Sequence, residues 1–178
     1  MIRQFLHSQI RKFGHQFRYD VTYMHEIADV SPGAAYTLSK LPNFYKYRGP
    51  EAGLPVWTGA LLASTLEGDC GPCAQLVVDM ALANGADADA LQACAEGRPN
   101  DAGTMGLGFR FACAAIAGDI VADDLRREIE AEFGKKAAIS CAFAAASGRI
   151  YPVLKRGIGH GQACQRLDFG GKVVKLAA

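Results

Sequence analysis

An all-α helical bundle is what this sequence predicts, and three observations predict it. Half of its 178 residues are hydrophobic, with alanine and leucine prominent and β-branched runs scarce, a mixture that favours helices over strands. Apolar residues recur at helical rather than alternating spacing through most of the chain. Glycine, proline and short polar clusters punctuate those stretches at helix-length intervals. A chain of this length can bury about two-thirds of its unfolded surface as one domain, without disulfide staples. The expected organisation is therefore a single domain over 1–178: an N-terminal helical extension (1–53), a core (54–159) and a tail (160–178). Fifty residues ahead of the core cannot bury much of a core of their own, so the loop before it is no domain boundary.

The elements follow in order. Residues 2 to 18 set Ile2, Phe5, Leu6, Ile10, Phe13 and Phe17 among Arg3, Arg11, Lys12 and Arg18, a basic amphipathic arm expected to dock on the body or a neighbouring subunit. A second helix is expected over Tyr19 to Val30, and Ser31-Pro32 caps a third that runs to about Leu41. The segment from Pro42 to Pro55, with three prolines and two glycines, reads as a loop. Val56 to Leu66 is helical. Glu67-Gly68-Asp69 then turns the chain, and Asp69 is expected to cap the next helix, which runs to Asn84 before Gly85.

A short helix from Asp87 to Glu96 ends at Gly97. A strongly apolar one spans Asp101 to Gly118, its glycines predicting close helix contacts. A charged one spans Asp123 to Phe133. The last, from Lys135 to about Lys155, is almost uniformly small or apolar and should be buried on most sides, with Pro152 kinking or ending it. A small hairpin is expected around Gly170-Gly171, between Arg166–Phe169 and Lys172–Val174.

The net charge is +1, which gives no basis for nucleic-acid binding. No run of eighteen apolar residues is present, and the N-terminus lacks the pattern of a secretory signal, so the expectation is a cytoplasmic protein that does not span a membrane. Six cysteines in a reducing compartment are expected to be thiols unless chemistry requires otherwise. Three of them, Cys94, Cys113 and Cys141, fall on predicted helices and read as packing residues.

The stretch that carries chemistry is Glu67-Gly-Asp-Cys70-Gly-Pro-Cys73-Ala-Gln-Leu-Val-Val78. Two thiols at Cys-x-x-Cys spacing can close a small disulfide ring, and a helix N-terminus favours a thiolate beside it. Two buried small hydrophobes would share that spacing without any redox role. Cys-Gly-Pro-Cys is also the tetrapeptide of thioredoxins, where it follows a buried strand; here a helical Ala- and Leu-rich segment precedes it, so only the local chemistry carries over.

A resemblance covers more of the chain. From Leu54 to Gly159 the order of helices looks like the alkylhydroperoxidase D-like, or carboxymuconolactone decarboxylase-like, family. Its carriers are the Cys-x-x-Cys that opens the helix ending Met80-Ala-Leu-Ala-Asn-Gly-Ala-Asp87, the stretch Leu107-Gly-Phe-Arg-Phe-Ala-Cys113, the charged helix ending Glu132-Phe-Gly134 and the buried Ala137–Ile150 helix. Asp69–Val78, Arg149-Ile-Tyr-Pro-Val-Leu-Lys155 and Gly159-His-Gly-Gln-Ala-Cys164 resemble an uncharacterised bacterial branch of it. The resemblance implies an all-helical domain, homo-oligomers, and a dithiol that reduces a small-molecule peroxide or a partner protein's disulfide with no bound cofactor. It makes Cys73 the attacking thiol and Cys70 its partner, although the turn position of Cys70 leaves the order open.

Peroxidase-competent members carry a glutamate twelve positions before the first cysteine and a histidine four after the second. Those positions are Thr58 and Val77 here, and a valine accepts no proton. Glu67 and Asp69 are near in sequence, but carboxylates raise a neighbouring thiol's pKa unless they relay a proton. His160 and His25 are alternative bases that would have to fold back; Glu26 reads as a solvated helix residue. Gln75 either hydrogen-bonds a sulfur or faces solvent. Cys70, Cys73, His160 and Cys164 form a weak zinc set across a long gap, and the expectation is no metal. Two function classes follow: a thiol-dependent oxidoreductase, in which peroxide yields a sulfenic acid that the second thiol condenses to a disulfide, or a non-enzymatic redox-sensitive or partner-binding scaffold. Lactone decarboxylation rests on fold analogy alone.

Overall fold

The computed structural model describes residues 2–162 and 166–175. It is an all-α bundle with one two-stranded hairpin. The arm contributes α1 (Ile2–Phe17), α2 (Thr22–Val30), α3 (Pro32–Leu38) and the single turn α4 (Pro42–Tyr45). The body contains α5 (Leu54–Glu67), α6 (Gly71–Ala83), α7 (Ala88–Ala95), α8 (Gly103–Ala117), α9 (Val121–Phe133), α10 (Lys135–Ser147) and α11 (Ile150–Gly157). Strands β1 (Arg166–Asp168) and β2 (Val173–Lys175) pair antiparallel with Leu167 opposite Val174, turned by Gly170 and Gly171 at φ 77° and 103°. The hairpin is where the sequence placed it.

The centre is α5, apolar on every side, whose residues from Val56 to Thr65 are all buried. It crosses α8 at backbone contact. A Cβ on Gly59 would lie 1.9 Å from the Met105 carbonyl oxygen, and one on Gly108 would lie 1.8 Å from that of Val56. Gly106 meets the Pro99 carbonyl as closely, at 1.7 Å. Gly106 and Gly108 therefore make the close contacts expected of this helix's glycines, whereas Gly103 has nothing within 4 Å.

On one side of α5, Trp57, Leu61, Phe111, Ile129, Ala137 and Cys141 join α5, α8, α9 and α10 in one core. On the other, Leu62, Val78, Leu91, Met105, Leu167 and Phe169 join α5 to α6, α7, α8 and the hairpin. The hydroxyls of this apolar helix are satisfied: Thr58 Oγ1 donates to the Leu54 carbonyl at 2.8 Å and Ser64 Oγ to that of Ala145 at 2.6 Å.

Four expectations need correction. Tyr19 to Val21 are not helical, because Arg18 adopts a left-handed conformation (φ 48°) that ends α1 and turns the chain into α2. The stretch from Pro42 to Pro55 is not simply a loop, since it holds α4 and a 3-10 turn at Glu51–Gly53. The helix from Lys135 breaks at Gly148-Arg149 rather than at Pro152. Gly148 packs so tightly on α5 that a Cβ would lie 2.8 Å from Ser64 Cβ, and the Arg149 amide donates to Ser64 Oγ at 3.1 Å. Pro152 sits instead in the first turn of α11, where its missing N–H costs nothing. Last, α10 is not buried on most sides: Ile139 and Phe143 face outward beside Phe44 and Tyr47 of the arm.

Lys135–Gly157 is long and apolar enough, by length and composition, to cross a membrane; half of its most apolar window packs inside the bundle, as in a core helix.

The α5–α8 crossing predicts an asymmetry among glycines. Gly108→Ala should destabilise the protein by about 3 kcal/mol or more in urea unfolding, because a backbone carbonyl has nowhere to move. Gly33→Ala, with nothing within 4 Å of the new methyl, should be neutral or stabilise by less than about 1 kcal/mol.

Candidate functional site: a buried dithiol under the arm

Cys70 and Cys73 lie where α5 turns into α6. Gly68 ends α5 against α11, its Cβ position only 2.3 Å from Pro152 Cβ. Asp69 does not cap α6 as the sequence suggested. It adopts a left-handed conformation (φ 48°), and Cys70 takes the N-cap position in extended backbone, with Pro72 in the first turn. Arg156 of α11 fastens this turn, donating to the Asp69 carbonyl and carboxylate, both at 2.8 Å.

The two cysteines are free thiols whose sulfurs face each other at 2.6 Å. Both are sealed from solvent, with 1% of Cys70 and 4% of Cys73 exposed. The turn position therefore does not make Cys70 the more exposed of the two. Their surroundings form a separate apolar cluster of Tyr19 and Tyr23, with Phe13, Phe17, Leu76 and Tyr151 packed against it.

Two polar groups meet in this cluster. Tyr19 Oη lies 3.3 Å from Cys73 Sγ. Lys155 Nζ donates to Tyr19 Oη at 3.4 Å and sits 5.0 Å from the ring centres of both Tyr19 and Tyr23. Lys155 itself is buried. The electrostatics split the pair: the Cys73 thiol and amide, with Lys155 and Arg156, outweigh burial and bring Cys70 down to about 6. Sharing with Cys70 and burial push Cys73 up, although Tyr19 and Lys155 oppose this. The pair therefore holds one negative charge and one proton between two sulfurs. Burial raises the phenols of Tyr19, Tyr23 and Tyr151, which stay protonated donors.

Beside the dithiol opens a largely apolar cleft of about 1120 Å³. Cys73 and Tyr19 form part of its wall; Cys70 does not line it. Thr58 and Val77 line it as well, with Trp57, whose indole N–H is buried without a hydrogen-bond partner among the described residues.

The remaining candidates lie elsewhere. His160 Nε2 is 2.6 Å from Glu26 Oε2, tying the loop after α11 to α2, so Glu26 is partnered rather than merely solvated. His25 stacks on His7 (ring centres 4.8 Å apart) beside Asp29, and partial burial lowers its pKa. Glu67 faces Arg149 at 3.5 Å. Gln75 does neither thing expected of it: its amide donates to the Asp168 carbonyl and accepts from the Asp168 N–H, both at 2.8 Å, pinning the hairpin to α6. Among the described residues no three His, Cys, Asp or Glu side chains gather as a metal site, and Cys164, fourth member of the zinc set, lies outside those residues. Cys94 and Cys141 are buried, their thiols pushed up to about 12 by desolvation; Cys113 is exposed on α8, contrary to its reading as a packing residue.

Sequence reasoning did not find Tyr19, Tyr23 or Lys155 as site residues. Lys155 had a signal in the quoted Arg149–Lys155 stretch, but a lysine in an amphipathic segment ordinarily reads as solvated. Comparison of the chain with protein-family models, with curated proteins and with solved structures finds no match to any of them.

The shared ionisation predicts a titration. Thiolate absorbance should appear with a midpoint near 6, well below an ordinary thiol, and Cys70→Ser should remove that low transition. The folded pKa is the lower one, so between about 6 and the ordinary value of 9.0 the folded state has lost a proton that the unfolded thiol keeps. Urea stability should therefore rise with pH across that window by more in the wild type than in Cys70→Ser.

Proposed function

We propose that this chain is a thiol-dependent peroxide reductase in which Cys70 and Cys73 form the redox pair. The observation that carries this reading is a facing pair of free thiols, one of whose sulfurs borders an apolar cleft of small-molecule size. Attack on a peroxide would give a sulfenic acid, and the neighbouring thiol would condense it to a disulfide. A thiol donor would then restore the pair.

Burial bears on the substrate. Both sulfurs are nearly sealed, so a protein disulfide could reach neither without displacing the arm, whereas a small apolar hydroperoxide can approach Cys73 through the cleft. The cleft also gives each cysteine a part: Cys73 meets the substrate, and Cys70 holds the charge and resolves the intermediate. The resemblance to the alkylhydroperoxidase D-like family points the same way. Thr58 and Val77, which take the places of its glutamate and histidine, line the same cleft as Cys73. That resemblance also implies self-association, for which the outward Ile139 and Phe143 of α10, with Phe44 and Tyr47, offer an apolar face.

The same burial favours one other reading, a redox-sensitive scaffold in which the arm seals a dithiol that never turns over. Peroxide consumption separates the two. Reduced protein given cumene hydroperoxide and excess dithiothreitol should consume peroxide catalytically, with a Cys70–Cys73 disulfide found by mass spectrometry. Cys73→Ser should fall to background, while Cys70→Ser should stop after about one turnover as a sulfenic acid. Wild type at background leaves the scaffold reading.

A further inference from the structure

Lys155 is a costly residue to bury. An ammonium taken out of water loses several kcal/mol of hydration unless nearby groups satisfy it. What surrounds it is the Tyr19 hydroxyl, two aromatic rings and, beyond Tyr19, the dithiol, with the Asp20 carboxylate also within range of its charge. Its charge favours the thiolate form of both cysteines, so the dithiol's negative charge is its counterpart.

The geometry is directional. Lysine has only donors, so Tyr19 Oη accepts from Lys155, and its own O–H remains to serve the 3.3 Å contact with Cys73 Sγ, in which either atom can donate. The chain of donors runs from α11 through the arm to Cys73, the sulfur on the cleft wall. Two backbone features hold Tyr19 there: the left-handed Arg18 before it, and Gly14, whose carbonyl accepts from the Tyr19 N–H at 3.1 Å and where a Cβ would meet Val21 Cγ2 at 3.0 Å.

We propose that Tyr19 is the catalytic acid of peroxide reduction, donating its proton to the departing alkoxide, and that Lys155 is the positioning residue that orients it and replaces that proton. The proposal rests on the peroxide-reductase reading above. The proton-accepting role absent at Val77 falls to the Cys70 thiolate, and the proton for the leaving group arrives from the arm and α11.

The step balances as follows. Cys73 sulfur attacks one oxygen of ROOH while its proton passes to the Cys70 thiolate. The S–O bond forms with two sulfur electrons, and the O–O bond breaks. The leaving RO⁻ takes the Tyr19 proton and departs as ROH; Lys155 reprotonates Tyr19 and becomes an amine. Cys70, now a thiol, attacks the sulfenic sulfur, so that the S–S bond forms, the S–O bond breaks and water leaves with the Cys70 proton. When a thiol donor reduces the disulfide, one of the two new protein thiols ionises and returns its proton to the amine. The sum is dithiol plus ROOH giving disulfide, ROH and water.

The test contrasts two oxidants on the full chain. Cumene hydroperoxide expels an alkoxide that needs a proton, whereas peracetic acid expels a carboxylate that does not. Disulfide formation is followed in single turnovers for wild type, Tyr19→Phe and Lys155→Met. Tyr19→Phe should slow the reaction with cumene hydroperoxide about 100-fold and leave peracetic acid within about threefold. Lys155→Met should slow both oxidants, because the thiolate loses a facing cation, and cumene hydroperoxide by a clear further factor; if it fails to fold, Tyr19→Phe decides alone. Equal losses with both oxidants would make Tyr19 a packing residue, and no loss with either would make it a bystander; each overturns the proposal. A wild type that reacts with peracetic acid but not with cumene hydroperoxide refutes the acid. A wild type forming no disulfide with either oxidant refutes the peroxide-reductase reading itself.

Discussion

The backbones of α5 and α8 touch. Because Gly59 and Gly108 place no side chain between them, α5 sits deep enough to be covered on every side, and both halves of the core are built against it. Its C-terminal end then sets the site. At its C-terminus Gly68 meets Pro152, which seats α11 beside the turn into α6 and brings Lys155 toward the sulfurs. Ser64 serves the neighbouring break between α10 and α11, accepting the Arg149 amide and donating to the Ala145 carbonyl. That break separates the helix packed on α5 from the one that carries Lys155.

The site is a charge held in an apolar place. Burial alone raises a thiol, and both cysteines are nearly sealed. A thiolate persists there because the second sulfur shares its proton and because a lysine and an arginine from α11 face it. The arm closes the arrangement chiefly with aromatic rings, and Asp20 is the arm carboxylate within range of the lysine's charge. Electrostatics and covering layer therefore come from opposite ends of the chain and meet at Tyr19.

Much of the architecture was legible in the sequence, because local rules governed it. Ser31-Pro32 starts α3 as a capping pair should, with the Ala34 amide on Ser31 Oγ; Gly118 and Gly134 end their helices at positive φ; the hairpin turns at its paired glycines. The misreadings arose where tertiary contact outweighed local preference. Gly148 breaks a helix because Ser64 and Leu61 press on it, and Pro152 does not, because the break comes first. Asp69 gave up the cap to make the turn that Arg156 holds. In the site, the cysteines were legible from spacing alone. Tyr19 and Lys155 were not, since no local pattern announces that two residues 136 apart will meet, and Gln75 was unreadable until the hairpin lay beside it.

That separation has a consequence for synthesis. The ribosome delivers Tyr19 early, the dithiol midway and Lys155 near the end. Until α11 emerges, a growing chain has two thiols and a tyrosine but no lysine to set their ionisation, and no Pro152 to seat the turn. The hairpin strand that Gln75 grips comes later still. A chain that stops before Lys155 thus carries the same two cysteines without the α11 cations that lower Cys70.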